Sequence, residues 1–189
     1  MKRVASILLL FTIWSTLTGQ TASNNKLKLE EWKDARFGMF IHWGPVTLKG
    51  TEIGWSRGLE VPVDEYDNLY KQFNAANFDA NNWVSVAKAA GMKYIILTTK
   101  HHDGFCLWNT RQTDYNIMHS PLGRDVVKEL SEACKKQGIA FGTYYSTTDW
   151  HHPDFPLTSP GGKINRPVYD LDAYTTYLKK QVAELLLNY

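Results

Sequence analysis

The chain has 189 residues, 43% hydrophobic and 21% charged, a balance that excludes the disordered and fibrous classes. Its net charge of +2 falls to zero once Lys2 and Arg3 are set aside, which argues against a nucleic-acid partner. Two cysteines are too few for a disulfide scaffold, whereas 7 Trp supply flat apolar faces, for the core or for stacking on ring ligands.

Lys2-Arg3 precedes a mostly apolar run, Val4 to Leu17, followed by Thr18-Gly19-Gln20-Thr21-Ala22-Ser23. That order reads as a secretory signal peptide over residues 1–22, cleaved somewhere in 19–23. The run is diluted by Ser6, Thr12, Ser15 and Thr16 and is short for a bilayer span. The expectation is a secreted or periplasmic protein with no membrane association after cleavage.

The remaining residues, 23–189, alternate between two periods. Phe37-Gly-Met-Phe-Ile-His-Trp43 is a short apolar strand. Asp79 is placed to cap a helix that turns Trp83, Val84, Ala87 and Ala90 inward and closes at Gly91. Tyr94 to Thr99 is a β-branched, buried-strand pattern. A second helix runs from about Asp125 to Gln137 and stops at Gly138; Val126, Val127, Leu130, Ala133 and Cys134 share one face. Cys134 therefore reads as core, and Cys106 and Cys134 as free thiols. Ala140 to Tyr145 is the third strand, and from Asp170 a third helix puts Leu171, Tyr174, Leu178, Val182, Leu185 and Tyr189 on one stripe.

Strand, helix, strand, helix, strand, helix predicts an α/β fold with parallel strands. A complete (β/α)8 barrel takes roughly 250 residues. The chain is therefore expected to be the N-terminal portion of such a TIM-like barrel, ending after about three β/α units. In an unclosed sheet, Phe40, Ile95, Leu97 and the stripe around Leu178 and Leu185 are expected to be partly exposed.

Each strand ends in polar or aromatic chemistry: His42-Trp43-Gly44, Lys100-His101-His102-Asp103-Gly104-Phe105, and Tyr144-Tyr145-Ser146 with Asp149-Trp150-His151-His152 beyond. In parallel barrels these ends converge on one face. His42, His101, His102 and Asp103 have the chemistry of a divalent-metal set. Adjacent histidines on a strand point to opposite sides, however, so His101 and His102 are not expected to share an ion. Asp103 reads as capping the Gly104 turn and Asp149 as shaping its loop.

Phe37-Gly-Met-Phe-Ile-His-Trp-Gly44, Lys100-His-His-Asp-Gly-Phe105 and Gly142-Thr-Tyr-Tyr-Ser146 with Asp149-Trp150 resemble the opening motifs of the α-L-fucosidases, glycoside hydrolase family 29. The likeness runs from about Trp32 to the end. It implies a retaining exo-glycosidase that releases terminal fucose from oligosaccharides or glycoconjugates without metal or cofactor. It also implies substrate contacts from His42, Trp55, His101, His102 and a third-strand tyrosine. Strand parity leaves Tyr144 or Tyr145 open, with Tyr145 preferred. Many family members carry Glu before the tryptophan, where this sequence has Gly54, with Glu52 nearby. The resemblance puts the nucleophile, an Asp in a Trp-Phe-Asp-Gly-like run, and the acid/base beyond Tyr189. A metal-dependent barrel hydrolase and a non-catalytic sugar-binding module are the alternatives.

Overall fold

The computed structural model describes residues 27–157 and 166–189, so the expected signal peptide over 1–22 lies outside the described residues. Residues 27–35 are helical and belong to a small unit ending at Phe37. The compact unit Gly38–Tyr189 holds the sheet and the helices that pack on it. Among the described residues, no helix is long and apolar enough to cross a membrane.

Three strands, β1 (Gly38–Ile41), β2 (Tyr94–Lys100) and β3 (Ala140–Tyr145), form a parallel sheet in the order β1-β2-β3. Helix α1 (Ala80–Ala89) connects the first two, α2 (Val126–Gln137) the second two, and α3 (Leu171–Asn188) follows β3. Parallel neighbours require long crossovers, and these helices supply them. Each helix begins on an aspartate. The carboxylate of Asp79 accepts the Asn82 N–H, that of Asp125 the Lys128 N–H, and that of Asp170 the N–H groups of Asp172 and Ala173. α2 ends on Gly138 at φ 73, where a side chain would be strained, after Lys135 and Lys136 in its last turn.

The core lies between the sheet and the helices. Ile95 and Leu97 of β2 are fully buried with Val84 and Ala87 of α1 and Val126, Val127, Leu130 and Cys134 of α2. Their expected partial exposure is therefore corrected: these side chains face the helix layer, which α1 and α2 complete by themselves. Each such side chain contributes roughly 1.5–3 kcal/mol by leaving water. The opposite sheet face is the open one. Phe40, paired in register with Ile96, is 54% exposed there, as expected. Among the described residues Cys106 and Cys134 are both free and buried.

The third helix departs from its expected stripe. Leu171 is exposed and Leu178 half-buried, whereas the buried line is Tyr174, Gln181 and Leu185. Gln181 is inside because its amide is satisfied there: Oε1 accepts the Tyr145 hydroxyl at 2.8 Å, and Nε2 donates to Cys106 Sγ at 3.2 Å. Ala90, expected inward, is exposed at the end of α1.

One irregularity governs the site. Thr98 pairs with Tyr144, but Lys100 pairs with Tyr145, leaving Thr99 as an extra residue in β2. The Thr99 hydroxyl donates to the Tyr144 carbonyl at 2.9 Å. Such a slip exchanges the two faces for whatever follows. Lys100 is thereby turned into the interior, where it is fully buried.

Candidate functional site

The carboxyl ends of the three strands carry a cluster of rings. His42 follows β1 and packs edge-on against Phe40, centroids 4.5 Å apart, and against His101 at 5.6 Å. His101 and His102 lie 4.4 Å apart, centre to centre. The expectation that they diverge does not hold, because β2 ends at Lys100 and strand alternation ends with it. Tyr144 of β3 completes the group, 6.2 Å from His42 and 6.4 Å from His101. On the other side of His102 stand Trp55, 5.5 Å away, and Trp150, 5.3 Å away, the two indoles themselves 5.3 Å apart.

Of the expected contact residues, His42, Trp55, His101 and His102 are brought together. Tyr145 is not among them. Its hydroxyl donates to Gln181, and its ring lies under the Lys100 ammonium at 4.4 Å, on the helix side of the sheet. The tyrosine that joins the histidines is Tyr144. Trp150 is the other member that sequence reasoning left out of the contact set. Its neighbours in sequence leave the site: His151 stacks on Tyr115 at 4.0 Å, and His152 packs on Tyr177 at 4.3 Å. The signal for Trp150 was present in the Asp149-Trp150 run, but nothing local ranked it above the two histidines.

The protonation pattern follows from the network. Ser146 Oγ donates to the Thr148 carbonyl at 2.7 Å and accepts the Thr148 N–H at 3.1 Å. Its contact with His102 Nδ1 at 2.6 Å is therefore donated by the imidazole, which leaves a lone pair on Nε2. Burial holds His102 below the usual histidine range. His101 is pushed down to about 4 by burial, reinforced by His102 and His42. Both are neutral near pH 7. The His101 Nδ1 atom is buried with no hydrogen-bond partner.

Gly54 explains that enclosure. It has φ +73, and a Cβ there would stand 2.6 Å from His101 Nδ1. A residue with a side chain does not fit this backbone without moving His101. Glu52 is exposed, and its carbonyl is taken by the N–H and hydroxyl of Ser56.

Both carboxylates near the strand ends are committed. Asp103 accepts the Tyr66 hydroxyl at 2.7 Å and the Phe105 N–H at 3.3 Å, which matches a turn-capping role with an added long-range partner. Burial pushes it up to about 6, with Asp149 adding and Tyr66, Phe105 and Arg57 opposing. Asp149 accepts Lys100 Nζ on one oxygen, and the His151 and His152 N–H groups on the other. Trp150 N–H donates to the His102 carbonyl at 2.7 Å, tying the β3 loop to the β2 turn. Among the described residues, no three His, Cys, Asp or Glu side chains are grouped to hold a metal ion.

Neutral imidazoles, a phenol and two indoles offer hydrogen bonds of both senses beside flat apolar faces. That combination suits an uncharged, polyhydroxylated ring. The chain is thus an α/β domain whose parallel strand ends carry a cluster of that chemistry.

Comparison with known proteins is specific. The family model described as Alpha-L-fucosidase matches residues 14–189, and the chain belongs to that family. It is 37% identical over 147 residues to the plasma alpha-L-fucosidase of Homo sapiens, covering 68% of this chain and 32% of that one. Its fold is similar to that of alpha-L-fucosidase isoenzyme 1 from Paenibacillus thiaminolyticus, with a TM-score of 0.74, 41% identity, and coverage of 82% of this chain and 38% of the other. It is likewise similar to a family 29 alpha-L-fucosidase from Bacteroides thetaiotaomicron, a trapped covalent intermediate in complex with 2-fluoro-fucosyl fluoride. That match has a TM-score of 0.71 and 34% identity, covering 84% of this chain and 38% of that one. The chain thus spans about a third of the length of the curated relative named, 32%.

Proposed function

We propose that this chain carries the fucose-binding wall of a retaining α-L-fucosidase acting on terminal fucosyl groups of oligosaccharides or glycoconjugates. The observation that carries the reading is the group His42, His101, His102 and Tyr144 flanked by Trp55 and Trp150 at parallel strand ends. In this reading the sheet is part of a (β/α)8 barrel, and the open face bearing Phe40 is part of its interior. His102 Nε2 accepts a sugar hydroxyl proton, His101, His42 and Tyr144 contact other hydroxyls, and an indole covers the apolar ring face.

Retention requires two carboxyl groups about 5–5.5 Å apart across the scissile bond. Asp103 and Asp149 are both engaged in structural bonds, so neither is the nucleophile, and the reacting pair is assigned to other parts of the catalytic domain. A relative trapped as a covalent intermediate supports the retaining mechanism. The protein is proposed to be exported, with its signal peptide in residues 1–22. The deciding experiment is hydrolysis of an aryl α-L-fucoside by the whole catalytic domain that contains this chain, compared with its His101→Ala and His102→Ala variants. Each lost hydrogen bond should cost on the order of 0.5–1.5 kcal/mol in binding, and more in the transition state. Unaltered kinetics in both variants would remove the assignment.

A further inference from the structure

The loop that carries Trp55 is held from below by a chain of hydrogen bonds that touches none of the ring cluster's polar atoms. The Gly54 N–H donates to the Tyr66 hydroxyl oxygen at 2.8 Å, and that hydroxyl donates to Asp103 Oδ2 at 2.7 Å. Tyr66 sits in a single helical turn, Val63–Tyr66, and is 2% exposed, as is Asp103 in the turn after β2. Three segments far apart in sequence therefore meet at one phenol: the Trp55 loop, the helical turn and the His101–His102 turn.

We propose that Tyr66 and Asp103 are positioning residues of this site, acting through the Gly54 amide to fix Trp55 beside His102 and to keep His101 enclosed. The proposal rests on the function given above, but its geometry stands without a ligand. Gly54 is the hinge of the arrangement. Its φ of +73 lets the backbone close on His101, and the residue after it carries the indole that meets His102. The Tyr66 hydroxyl is engaged by Gly54 and Asp103 and not by the histidines, so its effect on them is indirect.

The relay is also built to respond to protons. A carboxylate acceptor makes the Tyr66 bond a charge-assisted one, about twice as strong as a neutral one. Protonation of Asp103 removes that charge. If the proton settles on Oδ2, the Tyr66 hydroxyl must accept where it had donated. The other charged and titratable groups around Asp103 do not replace Tyr66. Arg57 is held by both carboxylate oxygens of Asp67, Asp149 is paired with Lys100, and Tyr115 and Cys106 are buried and uncharged near neutral pH. Because burial lifts Asp103 to about 6, the changeover falls in the mildly acidic range. Sites around Trp55 and Gly54 should therefore sense a titration that belongs to neither residue.

The test needs no sugar. In the full chain, the Trp55 indole N–H resonance and the Gly54 amide exchange rate are followed against pH in wild type, Tyr66→Phe and Asp103→Asn. The wild type should show a step near pH 6 at Trp55, with Gly54 protected above it. In Tyr66→Phe the carboxylate loses a donor that favours its charged form. With the link cut, the Trp55 step should be lost, and Gly54 exchange should quicken about tenfold or more. In Asp103→Asn the side-chain oxygen still accepts from Tyr66, so Gly54 should stay protected while the step vanishes. A Trp55 step that persists in Tyr66→Phe, or an unchanged Gly54 exchange rate, would overturn the proposal. So would a step that survives in Asp103→Asn, which decides the matter should Tyr66→Phe fail to fold. L-Fucose titration is a separate arm. Failure of the wild type to bind it counts against the function, while the ligand-free readouts still decide the relay.

Discussion

Lys100 Nζ lies 2.9 Å from Asp149 Oδ2 with both side chains sealed from solvent, 0% and 2% exposed. The ammonium also sits over the rings of Tyr145, at 4.4 Å, and Tyr177, at 5.4 Å. This pair joins the end of β2 to the loop after β3, one residue before Trp150. Removing one member leaves an uncompensated buried charge, which costs about 3–5 kcal/mol. Lys100→Met should lower the free energy of unfolding in urea by about that amount. The double variant Lys100→Met, Asp149→Asn should regain part of it, since Asn keeps an oxygen for the His151 and His152 amides. Equal losses in the two would show that the pair is not what is being broken.

Tyr144 and Tyr145 should separate cleanly. Tyr144→Phe should leave the melting temperature nearly unchanged and weaken L-fucose binding by the worth of one hydrogen bond, about 0.5–1.5 kcal/mol, or about 2–13-fold. Tyr145→Phe should do the reverse. It strips the buried Gln181 oxygen of its donor and lowers stability without altering the face that Tyr144 presents. Isothermal titration and thermal unfolding of both variants check this, and a binding defect confined to Tyr145→Phe would contradict it.

Much of this was legible in the sequence. Asp79, Asp125 and Asp170 announce their helices, and Gly138 ends α2, because caps and a positive φ are local chemistry that residue identity reveals. The helix-side core was legible for α2 for the same reason, one face repeating every three to four residues. What parity arguments could not reach depends on register and on long-range partners. Nothing in Ala140 to Tyr145 says which alternate side chains meet the helices, so Tyr145 was preferred over Tyr144, and nothing in Thr98-Thr99-Lys100 says that one residue is surplus. A glutamine on an apolar stripe reads as exposed until Tyr145 and Cys106 arrive to satisfy it. His101 and His102 looked divergent only while they were taken to continue a strand.

Position 54 offers a third test. Gly54→Ala puts a Cβ at φ +73 and within 2.6 Å of His101 Nδ1, so the loop or the imidazole must move. L-Fucose affinity should fall at least tenfold, and Gly54→Glu, which restores the residue common in the family, should bind no better than Gly54→Ala. A gain of affinity in Gly54→Glu would mean that the loop readily adopts another backbone.

Stability should depend on acid in two opposed ways. His101 has a folded value near 4, below its usual 6.5, so the unfolded chain takes up the proton first, and this contribution is lost as pH falls from 6.5 toward 4. Asp103 has a folded value near 6, above its usual 3.8, so its contribution is present at low pH and is lost as pH rises through 6. Over pH 6.5 to 4, His101→Gln should therefore lose less stability than wild type, and Asp103→Asn should lose more. Urea unfolding across that range reads both signs, and the same sign for the two variants would refute the assignment.

The surplus residue in β2 also limits how the gene can change. Deleting Thr99 would let the ladder with β3 close regularly, an apparent simplification. Lys100 would stay opposite Tyr145 and keep Asp149, but the Leu107 N–H would lose the Thr99 carbonyl that accepts it at 2.9 Å, and the Tyr144 carbonyl would lose the Thr99 hydroxyl. A substitution at position 99 keeps the carbonyl that Leu107 uses, whereas a three-nucleotide deletion removes both bonds. The length of the stretch from Tyr94 to His101 is thus set by the anchor at Leu107 as well as by the sheet.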